Sequence, residues 1–170
     1  MKHTKNILKS LLIMVMALSL LAVSCSKDEG GSKPTSPTSI TINAATINSV
    51  LSGKAAQSTF SGVVLDFKNF TPTSGKATVN ASINEEVTLN TLKTELTSSF
   101  TFNYNGATVK AEADTTFPTD NTRKDNAIVN ITIDAGNNTF ADDVSKSYTV
   151  KGKTATVAIT ITPNKNWNAK

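Results

Sequence analysis

Residues 127–134 read AIVNITID, and residues 154–162 read TATVAITIT. In the first, Ala127, Val129, Ile131 and Ile133 alternate with Ile128, Asn130, Thr132 and Asp134. In the second, Ala155, Val157, Ile159 and Ile161 alternate with Thr154, Thr156, Ala158, Thr160 and Thr162. Successive side chains of an extended chain point to opposite faces, so this period of two marks a strand with one buried and one wetted side. The period recurs outward along the chain. In 78–83 (TVNASI), Val79, Ala81 and Ile83 oppose Thr78, Asn80 and Ser82, and Val63, Leu65 and Phe67 oppose Val64, Asp66 and Lys68. Phe100, Phe102 and Tyr104 form an aromatic stripe, and Asn105-Gly106 supplies a hairpin turn into Ala107–Ala113. Residues 40–44 (Ile40, Ile42, Ala44) and 144–150 (Val144, Tyr148, Val150) read as two further strands.

About seven or eight strands of that kind leave one sheet with a bare apolar face, which must be covered by a second sheet or by closure into a barrel. The expectation is therefore an all-β chain, an antiparallel β-sandwich of immunoglobulin-like architecture, with Phe60, Phe67, Phe70, Phe100, Phe102 and Phe117 in its core. At most one short helix is expected. In 87–96 (VTLNTLKTEL), Leu89, Leu92 and Leu96 recur at helical spacing behind Thr88 or Asn90 as a cap. The runs GKATVNASI at 75–83 and GKTATVAITI at 152–161 echo each other, as similar turns feeding similar strands of one domain. Composition agrees: 26 Thr, 17 Asn and 17 Ser stand among 170 residues. Thr suits strands through its stiff branched Cβ, and Asn suits turns.

The first 24 residues have a different character. MKHTKNILK is short and positively charged, and SLLIMVMALSLLAV at 10–23 is apolar apart from its two serines. That is the layout of a secretory signal, too short for a comfortable membrane span. Leu21-Ala22-Val23-Ser24-Cys25 resembles a bacterial lipobox, which implies cleavage before Cys25 and acylation of the only cysteine in the chain. Ala22 stands where such sequences usually carry Leu. Ser26-Lys27-Asp28-Glu29 resembles the acidic export signal of surface-exposed lipoproteins of Bacteroidota, which implies an outward address. Residues 30–39 (GGSKPTSPTS) read as a flexible tether. The organisation expected is a signal peptide over 1–24, an acylated Cys and tether over 25–39, and one β-domain over 40–170.

Removal of the leader governs the chemistry that remains. It takes away His3, all three Met and Lys2, Lys5 and Lys9, leaving 14 basic against 13 acidic residues. No His-based catalysis, His metal site, Cys–His nucleophile or internal disulfide is then available, and the near-neutral balance gives no support for a nucleic-acid partner. Two-carboxylate chemistry would fall to Asp66, Glu85, Glu86, Glu95, Glu112 and Asp114, which read better as charges on a wet sheet face. The loop 134–143 (DAGNNTFADD) offers Asp134, Asn137, Asn138, Asp142 and Asp143 as oxygen ligands for calcium, although a plain turn explains the same residues. Asp114-Thr115-Thr116 resembles the O-glycosylation acceptor of exported Bacteroidota proteins, with Thr115 as the modified residue. Trp167 is a candidate for stacking on a sugar, or else folds back over the core. The expected protein is not an enzyme and has no cofactor. It is a lipid-anchored outer-membrane protein with a binding role, whose partners are the bilayer through Cys25 and an unidentified protein or glycan. The alternative is a structural or accessory subunit of an envelope assembly, of pilus type or in a nutrient-uptake complex.

Overall fold

In the computed structural model, which describes residues 38–169, the stretch around 154–162 is the central strand of a large sheet. The leader, Cys25, Ser26–Glu29 and most of the tether lie outside the described residues. In chain order the elements are β1 (Thr41–Ile42), α1 (Ala44–Gln57), β2 (Val63–Asp66), β3 (Lys76–Ile83), α2 (Leu89–Ser99), β4 (Phe102–Tyr104), β5 (Ala107–Ala113), β6 (Ala127–Asp134), β7 (Thr139–Phe140), α3 (Val144–Ser147), β8 (Thr149–Lys151) and β9 (Thr154–Pro163).

The large sheet has seven strands in the order β2-β3-β9-β6-β5-β4, with β8 also paired to β9. One side of β9 is lined by β6, from Asp134 beside Thr154 to Ala127 beside Ile161. The other side is shared: β8 covers its first residues, and β3 runs parallel to the rest, from Lys76 beside Ala158 to Ala81 beside Pro163. The β-rich reading holds, but the sheet is mixed and not antiparallel throughout. Alternation fixes the face that each side chain takes; it does not fix the direction of the neighbouring strand. The two strands of the Gly-Lys echo are β3 and β9, and they lie side by side.

Alternation places the side chains as the sequence implies. Val79, Ala81 and Ile83 of β3, Ala127, Val129, Ile131 and Ile133 of β6, and Ala155, Val157, Ile159 and Ile161 of β9 are all buried. Opposite them, β3 exposes Thr78, Asn80 and Ser82, while the four Thr of β9 are only half-covered. What covers the apolar face differs from expectation. The second sheet is only β1 and β7, paired parallel over two residues. The inward residues of two helices join the strands in one core: Ala44, Ile47, Leu51 and Ala55 from α1, and Leu89, Leu92 and Leu96 from α2, which packs on β5. Phe67 lies between Phe70 and Phe100, with ring centroids 5.0 and 5.7 Å away.

Three corrections follow. The helix expected over 87–96 is α2, but α1 makes a second and longer helix of 14 residues. Its start is fixed by Asn43, whose Oδ1 accepts from the Thr46 N–H at 2.7 Å. Ala44, read as the end of a strand, is the first residue of that helix. The strand expected over 144–150 is instead the turn of helix α3 followed by β8. Val144 and Tyr148 lie four apart and are both buried, a spacing that fits one helical face.

Candidate functional site

β1 is the first strand among the described residues, and a set of polar contacts holds it in place. The Thr139 N–H donates to the Ile40 carbonyl at 3.0 Å and the Ala141 N–H to the Ile42 carbonyl at 2.9 Å. Side chains continue this short ladder at both ends. Asn138 Oδ1 accepts from the Ile40 N–H at 3.1 Å, and Asp143 Oδ2 accepts from the Ala44 N–H at 3.1 Å. Asn138 is 3% exposed, the only buried polar residue among those described, and its Nδ2 donates to the Asn105 carbonyl at 2.8 Å. It therefore joins β1, the 135–138 turn and the β4–β5 hairpin. That hairpin turns through Asn105 and Gly106, both with positive φ (46° and 81°), as an Asn-Gly turn should.

Beside β7 lies a cleft of about 340 Å³. One wall is formed by Ala135 and residues 138–142, the end by Ser145 of α3, and the other wall by Val150, Gly152 and Lys153 of the β8–β9 hairpin. The side chains of Phe140 and Val150 are half-buried there, while Asp142 and Lys153 are exposed. Lys153 Nζ donates to the Gly136 carbonyl at 2.6 Å, which draws the two walls together at one end.

Three of the five calcium candidates have other employment. Asp134 accepts from the Gly136 N–H at 2.8 Å, Asn138 and Asp143 hold β1, and Asn137 and Asp142 are exposed. Among the described residues no three acidic, His or Cys side chains gather to hold an ion. The stacking assignment for Trp167 is corrected in the same way. The residue is fully buried, its indole N–H donates to the Asp125 carbonyl at 2.9 Å, and no ring face is left for a sugar. Its backbone carbonyl also accepts from the Val87 N–H at 2.9 Å, so the tail closes over the core, the other reading of this residue.

Thr115 sits exposed in the turn after β5. Beside it, Asp114 accepts from the Thr116 N–H and hydroxyl at 2.9 and 2.8 Å and from Asn130 Nδ2 at 3.0 Å. These bonds, led by the Thr116 N–H, hold the Asp114 carboxyl below the usual range. Of the other carboxylates, Asp66 accepts from the Lys68 N–H, Glu95 from Ser61, and Glu112 from Lys110, while Glu85 and Glu86 are exposed after β3. Asp66 on β2 and Glu112 on β5 share the wet face, but β3, β9 and β6 separate them. At ~4.8 Å per strand spacing that is about 19 Å, well beyond the ~5–9 Å of a glycosidase pair.

Comparison with family models, with curated proteins and with solved structures returns no match. Of the cleft residues, Val150 read only as part of a strand, and Phe140 and Lys153 carried no functional signal in the sequence. In the polar run after β6, Asn138 read as a cation ligand or a turn residue. Nothing local showed that its amide would be buried.

Proposed function

We propose that the chain is a lipid-anchored binding domain of the outer membrane, tethered through Cys25 and facing outward, with no catalytic role. One observation carries this reading: the only cysteine of the chain follows a charged and then apolar leader, at the position where a lipobox is acylated. The pinning of Ile40 and Ala44 to the loop 138–143 supports it, because an anchored domain is best held where its tether arrives. Several acyl chains give firm attachment, at about 0.8 kcal/mol per buried CH₂. The Ser26–Glu29 run supplies the outward address, and Thr115 in its exposed turn is the site for O-linked sugar. The wet sheet face and the loops around it are the surfaces left for a partner.

The test is metabolic labelling of cells with an alkyne analogue of palmitate, comparing the wild type with Cys25→Ser. Label on the wild type and none on the variant, with the variant released from the membrane fraction, is the expected result. Equal labelling, or equal membrane retention of both, contradicts the anchor.

A further inference from the structure

We propose that the cleft between β7 and β8 receives an extended peptide segment of another protein, added as a strand between the small sheet and the large one. The inference rests on the reading of the chain as a binding module and names the class of partner. Along an extended chain the peptide groups of successive residues point to alternate sides. Thr139 and Ala141 turn their N–H groups to β1, so the N–H and C=O of Phe140, a residue that lines the cleft, face away from β1. On the other wall, the two-residue turn Gly152-Lys153 joins β8 to β9, setting Lys151 beside Thr154, Val150 beside Ala155 and Thr149 beside Thr156. A two-residue hairpin closes on a bonded pair, so bonded pairs fall at 151/154 and 149/156 and the peptide groups of Val150 point away from β9.

Phe140 and Val150 thus bring two strand edges to one cleft, and among the described residues no strand lies between them. Unpaired edges are templates for strand addition, in which backbone bonds give affinity and side-chain positions give selectivity. One wall runs along residues 138–142 and the other presents Val150, Gly152 and Lys153, a stretch that suits a segment of about three residues, ~10 Å long at ~3.3 Å per residue. Phe140 and Val150 favour an apolar side chain at its centre. Asp142 and Lys153 put one charge of each sign on the rim and so call for no net charge. The tether of the chain itself is a poor occupant, because Pro34 and Pro37 lack the N–H that pairing requires.

The experiment titrates the ¹⁵N-labelled full chain in detergent micelles with N-acetyl-Thr-Val-Thr-amide, up to about 10 mM, a range that detects weak binding. The expected result is a saturable shift of the Phe140 and Val150 amides together with slower hydrogen exchange at both. Val150→Pro removes one cleft-facing donor, and Ser145→Trp fills the end of the cleft. Each is expected to weaken binding at least tenfold with an unchanged far-ultraviolet circular dichroism spectrum. The same peptide N-methylated at Val is likewise expected to bind at least tenfold more weakly. The proposal is overturned by silence at Phe140 and Val150, or by equal binding of the N-methylated peptide, which would mean side-chain recognition alone. Either negative leaves the anchor untouched, since Cys25→Ser reads that separately.

Discussion

Two glycines show how far a single position depends on what surrounds it. Gly75 has φ of 75° in the turn before β3, and a Cβ placed there would collide with Thr149 where β8 and β3 meet along β9. Gly53 lies inside α1 with nothing within 4 Å of its missing Cβ. Gly75→Ala is therefore expected to destabilise the fold by about 1–3 kcal/mol, and Gly53→Ala to stabilise it by about 0.4–1 kcal/mol, in urea unfolding. Tyr148 makes a different kind of prediction. Its hydroxyl bonds to Asn48 of α1, and burial pushes the phenol above its ordinary value near 10. A phenol whose folded value is raised contributes stability that is complete below the unfolded value and is lost as the pH climbs past it. The wild type should lose stability steeply above about pH 10, and Tyr148→Phe should flatten that loss while costing about 1–2 kcal/mol at neutral pH, because Asn48 loses its partner. Denaturant midpoints across pH 7–11 for the two proteins check both points.

At the scale of elements, the β1–β7 pair is the piece most dependent on side chains. Asn138→Ala removes the bonds to Ile40 and Asn105 together, and is expected to cost about 2–3 kcal/mol and to speed hydrogen exchange at the Ile40 amide more than at Ile131 in β6. The tail is the other such element: Trp167→Ala opens a cavity beneath it and should cost about 3–5 kcal/mol in thermal or urea unfolding. The long strands were legible because period two is a property of the residues themselves, and the Asn-Gly turn carried its own backbone requirement. α2 was legible through its three leucines. α1 was not, because Thr46, Asn48, Ser49, Ser52 and Gly53 are weak helix formers, and its inward row at 44, 47, 51 and 55 is half alanine. The parallel pairing of β3 with β9 was also hidden, since no local pattern names a neighbour across some eighty residues.

For the whole molecule, the address proposed for residues 21–29 stands beside a mixed sheet whose apolar side is filled by two helices and whose other side is polar. The proposed address is read from the sequence alone, since signal peptides and lipoboxes are linear motifs. The cleft was not legible there, because its walls come from β7, α3 and the β8–β9 hairpin, and what joins them is the direction of peptide groups. Exposure of the domain on the cell is the central claim and has a direct test. Intact cells would be treated with external protease and probed with an antibody to the folded domain, with a periplasmic protein as the control for lysis. The account predicts that the domain signal is lost while the control survives. Protection of the domain until the outer membrane is permeabilised would contradict it.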